Sequence, residues 1–349
     1  MGYKIIKKLP TADEIIATLP LSDEGYQSIA KHQQEIKDIL GGKDNRLLMV
    51  VGPCSAWPNT AVLEYAKRLK KIESQVSDAL KLVMRVYIQK PRTIKGWTGP
   101  VNQPDPLASP DIAAGAMYCR KLMVQIAEMG LPIADEALYT HNARGFIELL
   151  SWVAIGARSS EDQEHRIFAS GIDCPVGIKN PTHGSLKIGV NSVLAAQHPH
   201  YFVLDGNEVV TDGNKYAHMV LRGSNNEPNY SIEHIKEVAD SFVKNNVYNP
   251  AIMIDVSHDN CLLNGNKEHN RQPEIIMQVI DEVIQHKEYR QFVKGFMVES
   301  FIKSGKQNAE TANPIDMDGL SITDPCIGWE GTENMLLKLA DRVRQGYNK

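Results

Sequence analysis

Short apolar runs rich in β-branched residues alternate with amphipathic helical segments along nearly the whole chain, and this alternation restricts the available folds more than any other feature. The runs fall at residues 47–51, 82–88, 132–137, 152–157, 175–178, 218–221, 251–256 and 295–298. Helical spacing fills the intervals: over 60–76, for example, Val62, Ala66, Leu69, Ile72 and Val76 recur on one face. Further helices are expected at 111–129, where Asp111 caps and Gly130 stops the segment, at 143–150, and after a capping box of Ser160 and Gln163. Others are expected at 185–196, 231–243, 274–284 and 332–344. Eight strand–helix units predict an α/β protein with a parallel (β/α)8 TIM barrel, and no G-x-G-x-x-G follows the first strand to favour an open doubly wound sheet. Asp205-Gly206 and Asp212-Gly213 punctuate the stretch after 201–204, which predicts an inserted β-hairpin before the sixth strand. Residues 1–45 are charged and broken by Pro10 and Pro20 before a helix at 28–40. They are expected to form an N-terminal arm making oligomer or regulatory contacts, with 46–349 as the catalytic barrel domain.

A net charge of −4 with 23% charged residues gives no overall pull toward nucleic acid or membrane, so any anion binding must come from local clusters. The five cysteines, Cys54, Cys119, Cys174, Cys261 and Cys326, are widely spaced and form no CxxC pair, which suggests a reduced, cytoplasmic protein. The longest uncharged run, 47–63, contains Gly52, Pro53, Pro58 and Asn59, and is read as neither a signal peptide nor a membrane span.

In a barrel of this kind chemistry collects at the C-terminal ends of the strands. Taken in order, those ends offer Cys54, Arg85 with the turn Lys90-Pro91-Arg92-Thr93, Asp135-Glu136, Arg158, Lys179, Arg222, Asp255 with His258, and Glu299. Each alone has an innocent explanation, but so many ionisable groups at one mouth are costly to bury without a ligand or metal. The cations Arg85, Lys90, Arg92, Arg158, Lys179 and Arg222 suit carboxylate and phosphate, arginine as a planar fork and lysine as a point charge or proton donor. Cys54, His258, Glu299 and Asp324 offer one sulfur, one nitrogen and carboxylate oxygens. Such a set suits one divalent ion, Mn, Fe, Co or Zn better than Mg or Ca, with Mg still open.

Several ordered motifs carry a family resemblance. Gly-Pro-Cys-Ser at 52–55, Met-Arg-Val-Tyr and Lys-Pro-Arg-Thr within 84–93, Gly-Ala-Arg-Ser at 156–159 and Pro-Val-Gly-Ile-Lys-Asn at 175–180 are four of them. Leu-Arg-Gly at 221–223, Asp-Val-Ser-His at 255–258, Met-Val-Glu-Ser at 297–300 and Ser-Ile-Thr-Asp-Pro-Cys-Ile-Gly-Trp-Glu at 321–330 complete the series. From about residue 47 to near the C-terminus the chain resembles the type I 3-deoxy-D-arabino-heptulosonate 7-phosphate (DAHP) synthases. The resemblance implies a metal-dependent condensation of phosphoenolpyruvate with erythrose 4-phosphate, releasing phosphate, at the entry to the shikimate pathway. It implies that Cys54, His258, Glu299 and Asp324 hold the metal, that Arg85 and Lys179 face the phosphoenolpyruvate carboxylate, and that Arg158 and Arg222 face its phosphate. Arg92 and Thr93 would take the erythrose phosphate, with Pro91 shaping the turn. Lys90 is the candidate proton donor to the aldehyde oxygen, and Glu136 the candidate for ordering the water that captures the phosphate-bearing carbon.

The sequence departs from its relatives in places. Asp135 stands where many have Gly, Phe301 where some have His, and Asp173 where feedback-sensitive members commonly have Ser. The arm begins short and the insertion after residue 201 is compact, so weak or altered feedback by an aromatic amino acid effector is expected. A homodimer or homotetramer is expected, with the arm as a contact and neither nucleic acid nor membrane as a partner. The rival readings are a 3-deoxy-D-manno-octulosonate 8-phosphate synthase, whose loop usually reads Lys-Ala-Asn-Arg-Thr-Ser rather than Lys90-Pro91-Arg92-Thr93, and a catalytically silent regulatory barrel.

Overall fold

The structure, a computed structural model, describes residues 2–91, 96–138, 144–204, 206–224 and 227–347. Eight strands close into a parallel barrel: β1 (Leu47–Gly52), β2 (Leu80–Arg85), β3 (Ile133–Glu136), β4 (Trp152–Ile155), β5 (Val176–Lys179), β8 (His218–Leu221), β9 (Ile252–Asp255) and β12 (Val293–Glu299). Each neighbours the next along the chain, and β12 returns to pair with β1 in the register Leu48↔Gly295 to Gly52↔Glu299. The expected hairpin is present as antiparallel β6 (Tyr201–Leu204) and β7 (Asn207–Val210), outside the barrel sheet. A second, smaller one joins β10 (Leu262–Leu263) to β11 (Asn266–Lys267).

The helices α3 (Asn59–Val76), α4 (Ile112–Glu128), α5 (Gln163–Gly171), α6 (Leu186–Gln197), α7 (Ile232–Lys244), α8 (Gln272–Gln285), α9 (Lys287–Arg290) and α10 (Trp329–Arg342) follow the barrel strands. Strand alternation sorts side chains between two cores. Leu47, Met49 and Val51 pack outward under the helices, whereas Leu48 and Val50 join Val83, Tyr87, Ala134, Trp152, Met253 and Met297 inside. Before the barrel lie α1 (Ala12–Thr18) and α2 (Asp23–Leu40), and the last turn of α2 places Ile36, Ile39 and Leu40 in that same inner core. The segment expected as an arm therefore also closes the N-terminal mouth of the barrel.

Three local expectations are corrected. Of the helix expected at 143–150 only a single 3-10 turn, Ile147–Leu149, is found among the described residues. The Gly145 carbonyl, which a longer helix would offer to Leu149 N, accepts instead from Arg120 Nη1 at 2.6 Å, and Leu149 N donates to Phe146 O at 3.0 Å. Ser160 does not cap α5, which starts from Asp162; its hydroxyl donates instead to Ala157 O. The same S/T-x-x-E/Q logic does hold at Thr11 and Glu14, where both reciprocal bonds form and open the unexpected α1. Finally, β2 ends at Arg85 rather than carrying it mid-strand; beyond it the chain stays buried, with Val86 N donating to Ala134 O and Tyr87 O accepting from Ala56 N. No helix among the described residues is long and apolar enough to cross a membrane.

Candidate active site

At the C-terminal mouth lies a cavity of 1270 Å³. Its walls include Lys90, Pro91, Glu136, Arg158, Lys179, Arg222, His258 and Asp324, which the sequence had placed there from strand ends. Cys54, Arg85 and Glu299 are buried. Arg92 and Thr93 lie outside the described residues.

Closure of the sheet by β12 against β1 brings the first and last strand ends together. Donor atoms of Cys54, Glu299 and Asp324 come within 4.8 Å of one another. A thiol and two carboxylates so gathered, two of the three residues buried, fit a divalent transition ion. His258, the fourth residue expected with them, holds Nε2 at 3.8 Å from Glu299 Oε1. Its Nδ1 and the Lys179 ammonium each lie 2.9 Å from Asp255 Oδ2. Burial disfavours imidazolium at His258 more than Asp255 favours it, so its pKa falls below the ordinary value.

From the segment after β2 the Lys90 ammonium reaches the segment after β1, donating to Cys54 O at 2.7 Å and lying 3.2 Å from Cys54 Sγ. Burial acts to discharge it, but Cys54, Glu299 and Glu136 outweigh that and raise its pKa. Arg85 is fully buried and finds a counter-charge inside the protein, with Nη2 donating to Glu299 Oε1 at 3.2 Å and the guanidinium 4.0 Å from the Tyr87 ring centroid. Its Nη1 has no hydrogen-bond partner among the described residues. Arg222 is engaged by Asp259 at 2.5 Å while its buried Nε likewise lacks a partner. Arg158 stands exposed on the wall of the cavity. A Cβ at Gly156, just after β4, would overlap Glu136 Oε1, so a side chain there would displace the Glu136 carboxylate.

Asp135 turns away from this cation-rich wall and works on the backbone, Oδ1 accepting from Ile88 N at 3.2 Å and Glu136 N at 2.8 Å. Burial pushes its pKa up to about 8. The unfolded chain ionises Asp135 near pH 4 while the folded one keeps it protonated, so this group lowers stability as pH rises from about 4 to 8. Asp135→Asn keeps the acceptor oxygen and removes the charge. Its melting temperature is expected to exceed the parent's modestly at pH 5 and by a clearly larger margin at pH 8; an equal difference at both would contradict the buried-acid assignment.

Sequence reasoning missed two supporting residues. Lys267 lines the cavity with Nζ 3.0 Å from Asp324 Oδ1. Gln272, fully buried, exchanges both amide bonds with the Glu299 backbone at 2.9 and 3.0 Å. A signal for the first was available: Asn264-Gly265 between apolar and polar pairs is a tight-hairpin dipeptide, and both residues do take positive φ, 51° and 79°.

Fold and mouth together define a (β/α)8 barrel enzyme with a strongly basic cavity over a small thiol–carboxylate cluster. Comparison with known proteins makes this specific. The family model for the DAHP synthetase I family matches residues 26–337, and the chain belongs to that family. It is 40% identical over 336 residues to the Tyr-sensitive phospho-2-dehydro-3-deoxyheptonate aldolase of Escherichia coli, covering 95% of this chain and 92% of that one. The Phe-sensitive enzyme of the same organism is 39% identical, with 99% and 97% covered. A solved structure of the aldolase from Francisella tularensis superposes with a TM-score of 0.90 at 35% identity, covering 98% and 99% of the two chains.

Proposed function

We propose that the protein condenses phosphoenolpyruvate with D-erythrose 4-phosphate and water to give DAHP and phosphate, the first step of aromatic amino acid biosynthesis, in a metal-dependent reaction. The observation that carries this reading is the position of the Lys90 ammonium, 3.2 Å from Cys54 Sγ in the floor of a cavity walled by Arg158, Lys179 and Arg222. Each phosphate brings roughly −1.5 to −2 charge, so two phosphorylated substrates need such a lining. In this reading Arg85 and Lys179 take the phosphoenolpyruvate carboxylate, and the unpartnered Arg85 Nη1 supports that role. Arg158 and Arg222 take its phosphate. Pro91, Arg92 and Thr93 take the second substrate.

Cys54, His258, Glu299 and Asp324 would hold a divalent ion, which when bound supplies Lewis acidity to the aldehyde oxygen. Lys90 donates a proton to that oxygen as the carbon–carbon bond forms. Attack by the enol carbon leaves positive character at the phosphate-bearing carbon, and Glu136 orders the water that captures it. Phosphate release with Mn²⁺ tests the proposal. Erythrose 4-phosphate is expected to be turned over and arabinose 5-phosphate is not; the reverse would assign the octulosonate synthase, and no release with either would assign a silent barrel.

The same reading extends to regulation and assembly. A cavity of 430 Å³ between the β6–β7 hairpin and the end of α5 is lined by Lys37, Asp173, Phe202, Thr211 and Tyr216, and is proposed as the seat of an aromatic amino acid effector. The carboxylate of Asp173 adds a negative charge there that would oppose an effector's own carboxylate. Feedback is therefore weak or altered in the native chain, and Asp173→Ser is expected to strengthen inhibition by phenylalanine, tyrosine or tryptophan severalfold; unchanged inhibition curves would exclude this explanation. A homodimer or homotetramer is proposed, supported by the apolar exposure of Tyr3, Ile5 and Ile6 on the arm and of Tyr201 and Val203 on the hairpin.

A further inference from the structure

We infer that Lys267 is a positioning residue for Asp324, presented by a rigid excursion after β9 that also fixes Glu299; the inference rests on the proposed metal reading of Cys54, Glu299 and Asp324. After β9 the chain turns at His258, whose φ of 54° is left-handed, and runs through a 3-10 turn (His258–Cys261) into the β10–β11 hairpin before reaching Gln272 at the start of α8. This one excursion touches both Asp324 and Glu299. Lys267 donates to Asp324, and Gln272 clamps the Glu299 backbone through two bonds. The hairpin itself is tied down, with Arg271 Nη1 donating to Leu262 O at 2.6 Å and Glu268 N to Cys261 O at 3.0 Å. The Lys267 ammonium is thus delivered by fixed backbone rather than by a free arm.

Asp324 needs such a partner. Its side chain is 35% exposed on the wall of a large cavity, and Lys267 is the only hydrogen-bond donor to its carboxylate among the described residues. Without it the carboxylate would be free to rotate toward solvent and away from Cys54 and Glu299. With Oδ1 engaged, the second oxygen of the same group remains available to an ion. A lysine paired to a ligand carboxylate acts here as partners of metal ligands generally do, orienting a donor atom before the ion arrives.

The test is a Mn²⁺ titration of the metal-stripped full-length chain, free ion being read from its electron paramagnetic resonance signal. Asp324→Asn is expected to show the largest loss of affinity. Lys267→Met should bind about tenfold more weakly than the parent, and Lys267→Arg, which keeps charge and donor, within about threefold. If Lys267→Met fails to melt cooperatively, Lys267→Gln carries the comparison with Lys267→Arg. Affinity undiminished in the Met or Gln variant while Asp324→Asn is impaired would overturn the positioning role and leave the metal site standing. Undiminished affinity in Asp324→Asn would remove the metal reading and this inference with it.

Discussion

Lys90→Met is expected to lower kcat by roughly 10²- to 10⁴-fold, the range that positioned proton donors supply. The structure makes this the residue of greatest leverage on turnover. The residue is 9% exposed, with its ammonium held charged by surrounding anionic groups and aimed between the Cys54 carbonyl and thiol. Methionine fills much the same volume without a proton to give, so substrate-binding arginines stay in place and KM should move far less than kcat. The variant should also fold. Removing one cation from a site that already holds Arg85 and Lys179 relieves desolvation, which offsets the lost bond to Cys54 O. A cooperative melt with near-parental kcat in the phosphate-release assay would eliminate Lys90 as the proton donor.

Gly295→Ala is expected to cost about 3 kcal/mol of stability or more, a large effect for one methyl group. Gly295 lies in β12 directly opposite Leu48 of β1, and a Cβ there would overlap the Leu48 carbonyl oxygen. That oxygen belongs to the backbone of the closing strand pair and cannot rotate away. Relief requires β12 to move, and β12 ends at Glu299, so the same change should loosen the cluster with Cys54. Urea denaturation measures the cost; a loss below about 1 kcal/mol would mean that the barrel closes with more slack than the register Leu48↔Gly295 implies.

Much of this was visible in the chain before folding, for reasons that differ by residue. The eight barrel strands stand out because Val50, Met84 or Ile254 sit in short β-branched and apolar runs, a property each run carries alone. The strand-end residues follow from them, since a fold that gathers strand ends at one mouth converts position along the chain into position in space. The helix at 143–150 was misread because its pattern is apolar enough, but Arg120 of the distant helix α4 claims the Gly145 carbonyl that it needs. Ser160 was misread as a cap for a similar reason, its carbonyl being taken by Arg166 and Ser192. The partner of Arg85 was sought in a substrate, whereas Glu299, 214 positions away, supplies one within the protein.

The sequence by itself determined the barrel, its inserted hairpin, the family, and which residue types stand at the ends of the strands. These depend on periodicity and on short ordered motifs, both local. Only the tertiary structure decided which of those groups meet: Lys90 with Cys54 across 36 positions, Lys267 with Asp324 across 57, and Arg85 with Glu299 across 214. The physical reason is closure. Until β12 pairs with β1, no property of either strand specifies the distance between a thiol at one end of the chain and a carboxylate near the other.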